Sequence, residues 1–92
     1  MKISYTPESI EDLNRLREFI EVKNPQAAQR TANSILQGIH QLATFPYLGV
    51  EVQQAPNPKI VRDLILGNYI VRCLVRTTEI HILRVWHHKE NR

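Results

Sequence analysis

The sequence has few of the residues that build covalent or metal-held frameworks. Its 92 residues include a single cysteine, Cys73, so no disulfide can form within the chain. It contains no Cys-x-x-Cys motif, no glycine-rich phosphate loop and no carboxylate pair at a useful spacing. We therefore expect no cofactor and no bound metal. Because its neighbours are apolar, Cys73 is predicted to be a core thiol rather than a reactive one.

Long apolar segments are also missing. No apolar run approaches the roughly 18 residues that a membrane span needs, and the first residues lack the apolar stretch of a secretion signal. Together with the unpaired cysteine, this predicts a cytoplasmic protein without membrane contact. The length allows one domain, residues 1–92, and the composition of 42% hydrophobic and 23% charged residues is typical of a globular protein.

Net charge is small but unevenly distributed. Residues 1–58 hold five Lys/Arg against six Asp/Glu, whereas residues 59–92 hold seven against three and three of the four histidines. A basic half predicts an acidic partner, which can be a polypeptide or a nucleic acid.

Two helix-start signals divide the first half of the chain. Thr6-Pro7 and Asn24-Pro25 each place a capping side chain before a proline, which predicts helices from Pro7 to about Lys23 and from Pro25 to about Ala43. Apolar residues recur at steps of three and four in both, which predicts an antiparallel helical hairpin. The expected apolar stripes are Ile10, Leu13, Leu16, Phe19 and Ile20 in the first helix and Ala28, Ala32, Ile35, Leu36, Ile39 and Leu42 in the second. The sequence shows no reason for a glycine at position 38, inside the second helix.

The residue pattern of the second half of the chain predicts strands. Phe45–Gly49 is expected to fold back onto the core, and residues 50–59 form a long loop. Two-residue connections join three predicted strands into an antiparallel meander: Ile60–Leu66, Tyr69–Arg76 and Glu79–Trp86. With an extended segment at Lys2–Tyr5, the fold class is α+β in the order β-α-α-β-β-β, a helical hairpin on one face of a mainly antiparallel sheet.

Successive side chains of a strand point to opposite faces of the sheet, and this alternation predicts the faces of the last two strands. In the middle strand, Tyr69, Val71, Cys73 and Val75 form the bed for the helices, and Ile70, Arg72, Leu74 and Arg76 form a face open to a partner. In the last strand, Ile80, Ile82, Arg84 and Trp86 are expected on one face and His81, Leu83, Val85 and His87 on the other. Both faces of this strand are mostly apolar, which places it inside the sheet.

The candidates for chemistry are Arg62, Arg84, His87 and His88. A metal-independent endoribonuclease needs a general base, a general acid and cations for the phosphorane charge, and these residue types supply them. A metal site is not expected, because adjacent strand residues point opposite ways and no third ligand is evident. Alternatively, the arginines pair with acidic groups of a partner and the histidines end a strand at the surface. Residue types leave both readings open.

Several segments together resemble the RelE/ParE toxin superfamily, and the ParE branch in particular. The resemblance covers nearly the whole chain and is carried by Asp12-Leu-x-x-Leu-x-x-Phe-Ile20, Asn24-Pro-x-Ala-Ala28, Phe45-Pro-x-Leu-Gly49, Val61-Arg-Asp-Leu64, Tyr69-Ile-Val-Arg72 and Ile82-Leu-Arg-Val-Trp-His87. It implies the toxin of a type II toxin–antitoxin (plasmid stabilisation) pair. Such a toxin is neutralised by a ParD-like antitoxin with a ribbon-helix-helix N-terminus and a disordered acidic C-terminus, and it reaches operator DNA only through that antitoxin.

The superfamily contains two toxic mechanisms. RelE-like members cleave mRNA on the ribosome with basic residues and often a C-terminal tyrosine, whereas ParE-like members poison DNA gyrase. Arg62 and Arg84 match the RelE-like cationic pair, but the C-terminal tyrosine is missing and residues 50–59 contain Lys59 as their sole lysine. These departures favour a gyrase-directed toxin that is not an enzyme. A ribosome-dependent mRNA interferase and a non-toxic relative that acts as a co-repressor are the alternatives.

The resemblance also predicts two sets of contact residues. Target contact is expected at Arg84, Trp86, His87, His88 and Lys89. Antitoxin binding is expected at Leu16, Phe19, Ile20, Ile70, Arg72, Leu74 and Arg76.

Overall fold

The computed structural model describes residues 1–90 and contains the predicted elements with small shifts of their ends. The helices are α1 (Pro7–Glu21) and α2 (Pro25–His40), and α2 is followed by a 3-10 helix, Gln41–Ala43. The strands are β1 (Lys2–Tyr5), β2 (Val50–Glu51), β3 (Val61–Leu66), β4 (Tyr69–Val75) and β5 (Glu79–His87). The short β2 lies in the segment predicted to be a loop. Within residues 1–90, neither helix is long and apolar enough to cross a bilayer.

The two helix starts form as predicted. The Thr6 side chain accepts a hydrogen bond from the Ser9 N–H, and the Asn24 side chain accepts one from the Ala27 N–H, both at 3.1 Å. Thr6 also joins α1 to the sheet, because its N–H donates to the carbonyl of Ile82 at 3.1 Å. The start of α1 is therefore fixed against β5 by the backbone.

The sheet has the order β1-β5-β4-β3-β2 within the described residues. β1 pairs with β5 in parallel, and the other neighbouring strands are antiparallel. Gly67 opens the β3–β4 turn with a φ of 61°, a conformation that glycine adopts without strain. These pairings confirm the α+β fold, the meander and the interior position of the last strand.

The core lies between the helical hairpin and one face of the sheet. It comprises Leu16, Ile35, Ile39, Leu42, Leu64, Val71, Cys73, Val75, Ile80, Ile82 and Val85, with Leu13 and Tyr69 packed against it. The predicted bed on β4 is confirmed. The helical stripes were partly wrong, because Ile10, Phe19 and Leu36 are exposed. Ile10 and Leu36 line an open groove between the two helices.

Gly38 has a packing reason that the sequence did not show. A Cβ atom at this position would lie 2.5 Å from Cδ2 of Leu66, so the Leu66 side chain fills the space beside α2 and would have to shift for any larger residue. The expectation for Phe45–Gly49 was wrong. Phe45, Tyr47 and Leu48 are exposed, because the chain leaves the 3-10 helix directly for the sheet edge at β2.

A β-bulge in β5 corrects the predicted faces of that strand. Cys73 pairs with Ile82, but Arg72 pairs with Arg84, so Leu83 is an extra residue. Strict alternation therefore breaks at Leu83. Val85 joins Ile82 in the core, and Trp86, opposite Ile70, lies on the other face of the sheet.

A buried carboxylate anchors β5 just beyond this bulge. β1 pairs with β5 only as far as Ile82, and α1 lies along the next part of the strand. Asp12 Oδ2 accepts hydrogen bonds from the Val85 N–H at 2.9 Å and from Arg84 Nε at 2.8 Å, and Oδ1 accepts one from Arg84 Nη2 at 3.1 Å. Asp12 thus takes the place of a neighbouring strand at this amide.

The environment of Asp12 keeps it ionised. Burial alone would raise the pKa of this carboxyl. The hydrogen bonds from Arg84 and Val85, with the positive charges of Arg84 and Arg15, outweigh burial, so the pKa lies below its ordinary value of 3.8.

We predict that Asp12→Asn removes part of the acid sensitivity of the fold. A carboxyl with a lowered pKa stabilises the folded state fully above the pKa of the unfolded chain, and this contribution is lost as the pH falls through the lower folded value. At neutral pH the change should cost about 1–3 kcal/mol, since a charged acceptor of a buried amide is lost. Denaturant unfolding between pH 7 and pH 2 measures this, and an unchanged slope below pH 4 would contradict it.

Leu16→Ala should lower the free energy of unfolding by about 2–5 kcal/mol, because it leaves a cavity between the hairpin and the sheet. Phe19→Ala on the same helix is the matched control. Its ring is 69% exposed, so its loss should change stability by less than about 0.5 kcal/mol. Equal losses in the two variants would show that the helical phase is wrong.

Candidate functional site

The two arginines expected to form a cationic pair have separate partners within the chain. Arg84 donates to Asp12, as described above. Arg62 donates through Nε to the Gly49 carbonyl at 2.8 Å and through Nη1 to the Lys59 carbonyl at 3.1 Å. Arg62 belongs to β3 and Arg84 to β5, with β4 between them. The structure therefore does not bring these two guanidinium groups to a common site.

The two histidines lie side by side, although alternation placed them on opposite faces. β5 ends at His87, and the turn that follows stacks the His88 ring on the His87 ring with 4.7 Å between centroids. His87 Nδ1 accepts the Lys89 N–H at 3.1 Å, and the His87 ring meets Tyr69 edge-on at 5.2 Å. Among residues 1–90, no group of three His, Cys, Asp or Glu side chains is arranged to hold a metal ion.

Glu90 closes this segment, residues 87–90, which we name the C-terminal turn. Its Oε1 accepts the His87 N–H at 3.0 Å, and its Oε2 lies 3.2 Å from Arg15 Nη2 on α1. Arg15 Nη1 also lies 3.5 Å from Asp12 on the same helix, so Arg15 links the carboxylate that holds Val85 to the C-terminal turn. Asn91 and Arg92 lie outside the described residues.

A groove separates α1 from the C-terminal turn. This tail groove, as we name it, has a volume of about 510 Å³ and is lined by Arg15, Leu16, Phe19, Ile20, Tyr69, His87, Lys89 and Glu90. Burial and the charge of Glu90 raise the pKa of Tyr69, which keeps the phenol neutral. The groove is mainly apolar with charged groups at its rim.

The face of the sheet opposite the helices, named here the outer face, is built around an ion pair. Arg72 donates through Nε and Nη2 to the two carboxylate oxygens of Asp63 at 2.9 and 3.0 Å, which raises the pKa of Arg72. The guanidinium also lies 5.1 Å from the centroid of the Trp86 ring. Apolar side chains flank this pair, among them Ile65, Ile70 and Leu74.

The predicted antitoxin contacts divide between these two surfaces. Leu16, Phe19 and Ile20 line the tail groove, whereas Ile70, Arg72 and Leu74 belong to the outer face, with Arg76 exposed beyond the end of β4. Leu16 forms only the floor of the groove, since it is part of the core.

The side chains predicted to contact the target differ in their exposure to solvent. His88 and Lys89 are exposed and Arg84 partly so, but Trp86 is only 7% exposed and offers little surface. Arg15, Tyr69 and Glu90 also line the tail groove, and no sequence pattern predicted them there. The hydrogen bond that joins Arg15 to Glu90 spans 75 positions, and no local pattern encodes it.

The structure confirms the prediction that Cys73 is a core thiol. It is fully buried, and burial is the main cause that raises its pKa to about 11. The thiol is therefore protonated and shielded at neutral pH.

Comparison with known proteins identifies the family. Residues 3–92 match the sequence profile described as "ParE toxin of type II toxin-antitoxin system, parDE". A solved structure described as "Chromosomal ParDE TA system from P. aeruginosa" superimposes with a TM-score of 0.80 at 23% sequence identity, over 95% of each chain. No curated protein sequence matches the chain. The chain therefore belongs to the ParE toxin family of type II toxin–antitoxin systems.

Proposed function

We propose that this ParE-family toxin acts in the cytoplasm by binding DNA gyrase rather than by cleaving RNA, and that a ParD-like antitoxin neutralises it. The observation that carries the choice of mechanism is the engagement of Arg62 and Arg84 by different groups of the chain itself. A phosphorane intermediate needs cations that converge on one point, and these two guanidinium groups do not converge.

The histidines support the same choice. A general base needs a ring nitrogen that can reach the ribose hydroxyl, but His87 Nδ1 already accepts the Lys89 N–H. The His87 ring also meets Tyr69 edge-on and stacks on the His88 ring. This arrangement suits a rigid contact surface better than a group that exchanges protons.

The C-terminal turn is the part of this surface that we assign to the target. His88 and Lys89 are exposed there, and Arg84 is partly exposed on the preceding part of β5. Glu90 joins the turn to Arg15 on α1, and the His88 N–H donates to the Asn68 carbonyl at 2.8 Å, so little order has to be imposed on binding. Trp86 is 7% exposed and lies against Arg72 on the outer face, so it offers little surface for a direct contact with the target.

An antitoxin with an acidic segment fits the surfaces that remain. The outer face is apolar around the Asp63–Arg72 pair, and Arg76 lies exposed at its end. The tail groove is apolar with Arg15 and Lys89 at its rim. A disordered segment can cover two such surfaces on opposite sides of a sheet, as a compact partner cannot.

The direct test incubates the purified toxin with DNA gyrase and supercoiled plasmid, and in parallel with translating ribosomes and a defined mRNA. We expect inhibition of gyrase or cleavage of the plasmid and an intact message. Replacing both His88 and Lys89 by Ala should reduce the gyrase effect at least tenfold, because both side chains are exposed contacts. His87→Gln should have a milder effect, whereas in a nuclease it would cost about 10²–10⁴ in rate.

Codon-specific cuts in the mRNA that depend on His87, with gyrase unaffected, would contradict the proposal and establish the nuclease. A soluble His88→Ala, Lys89→Ala variant that still inhibits gyrase fully would remove the C-terminal turn from the target contact.

Antitoxin binding to the outer face is tested with Arg76→Glu. Arg72→Glu is less informative, because it also breaks the ion pair with Asp63. We expect Arg76→Glu to weaken the complex by roughly tenfold, mainly through slower association at low salt. Arg30→Glu on the exposed side of α2 is the matched control and should leave the dissociation constant unchanged. Equal effects of the two variants, measured by surface plasmon resonance, would exclude this face.

A further inference from the structure

The segment between the 3-10 helix and β2 presents apolar side chains that the rest of the chain leaves uncovered. Phe45 and Tyr47 are 60% and 57% exposed, and Leu48 and Val50 are exposed as well. Four large apolar side chains are thus open to solvent within residues 45–50, which we name the edge loop. Exposed apolar side chains concentrated in this way are typical of a site that another molecule covers.

The edge loop is fixed to the sheet by hydrogen bonds and close packing. The Leu48 N–H donates to the Phe45 carbonyl at 3.2 Å, which closes a turn, and Arg62 Nε donates to the Gly49 carbonyl at 2.8 Å. A Cβ atom at Gly49 would lie 2.9 Å from the carbonyl carbon and oxygen of Asp63, so the loop backbone runs directly against β3. A surface that is ordered in this way before binding loses little entropy when a ligand arrives.

The Tyr47 ring is the part of the edge loop best suited to stacking. The guanidinium carbon of Arg62 lies 5.4 Å from the centroid of this ring, and Arg62 is itself held by the carbonyl groups of Gly49 and Lys59. The ring is therefore oriented by a fixed cation, while more than half of the residue stays open to solvent. A fixed and exposed aromatic ring is a platform on which a planar group, such as a nucleobase, can stack.

A pocket beside Tyr47 adds a cation and a hydroxyl group. It has a volume of about 460 Å³, which falls in the size range of small-molecule sites, and is lined by Met1, Tyr47, Ile60, Val75, Arg76 and Thr77. Within residues 1–90, this lining contains no acidic side chain. Arg76 is exposed there, and Lys59 is exposed next to Ile60. The pocket therefore favours a ligand that carries negative charge beside a planar group.

The acidic side chains close to this surface are already engaged. Glu51 Oε2 lies 3.9 Å from Arg62 Nη1, and Glu79, which follows the turn after β4, lies 2.8 Å from His81 Nε2. Among the described residues, no ion pair engages Arg76 or Lys59. Their charges are thus available to phosphate groups of a ligand.

We propose that the edge loop and this pocket bind single-stranded nucleic acid. One base stacks on the open face of Tyr47, and the neighbouring phosphates contact Arg76 and Lys59. A duplex keeps its bases stacked on one another and offers no free base to the ring. The site shares no residue with the C-terminal turn, so it does not depend on the proposed target. Arg76 also lies at the end of the outer face, and the test therefore uses the toxin without antitoxin.

The test titrates the purified full-length toxin into fluorescently labelled oligothymidylate and oligouridylate of about 12 nucleotides, a length within the site sizes of single-strand binders. Fluorescence anisotropy reports binding, and a duplex of the same length is the control. We expect the single strands to bind at least tenfold more tightly than the duplex. Binding of either strand supports the proposal, and a preference between them identifies DNA or RNA as the ligand.

Variants of the edge loop separate stacking from general apolar contact. Tyr47→Ala should weaken single-strand binding about 5- to 150-fold, because one stacked base is lost. Tyr47→Phe keeps the ring and should bind as the unchanged toxin does. Leu48→Ala is the matched control, since it removes an exposed apolar side chain from the same turn without removing a ring.

Variants of the cations test the phosphate contacts. Arg76→Gln and Lys59→Gln should each reduce the slope of log affinity against log salt concentration by about 0.7, the contribution of one phosphate on a single strand. Arg17→Gln removes an exposed charge from α1, and Arg17 does not line the pocket. It should leave the slope unchanged.

Equal affinity for single strands and duplex, or equal losses for Tyr47→Ala and Leu48→Ala, would overturn the proposal. Equal salt slopes for Arg76→Gln and Arg17→Gln would overturn it as well. A dimer of the toxin that Tyr47→Ala dissociates would also overturn it, since a second copy would then cover the edge loop. These outcomes are independent of the gyrase assay, which tests the C-terminal turn.

Discussion

The bond between the Asp12 carboxylate and the Val85 amide is the interaction on which the C-terminal part of this structure depends. β1 is too short to cover the whole of β5, so the strand would present bare amides beyond the bulge. A carboxylate in the middle of a neighbouring helix satisfies that edge and at the same time holds Arg84. An exposed strand edge invites pairing with other chains, and a buried acceptor at this point prevents it.

The same interaction bears on the choice between the two toxic mechanisms. The positive charge of an arginine paired with a buried carboxylate is already balanced within the chain, which weakens its stabilisation of a developing phosphorane charge. Arg72 is similarly held by Asp63, and Arg62 by two carbonyl groups. We therefore propose that the cations of this sheet build a surface of defined shape, and that recognition falls to the C-terminal turn, the tail groove and the outer face.

Local sequence patterns predicted much of the fold. The features that they did not predict have a common cause, which is contact between segments distant in the sequence. The two cap-and-proline pairs and the two-residue turns act over a few positions, so the helices and the meander could be predicted. The bulge at Leu83 could not, because it arises where α1 replaces β1 beside β5, a tertiary event. One inserted residue moved Trp86 to the opposite face from Ile82. The glycine at position 38 is likewise explained by its close contact with Leu66, which lies on a strand distant in the sequence.

We propose that charged groups of α1 and Glu90 hold residues 84–90 as a preformed contact surface in the free toxin. Amide hydrogen exchange of the free toxin tests this most directly. We expect the Val85 amide to exchange only through global unfolding and the His87 amide to be clearly protected, whereas Gln53 and Gln54 in the exposed loop should exchange freely. Exchange at Val85 and His87 as fast as in that loop would contradict it, because the surface would then have to form on binding.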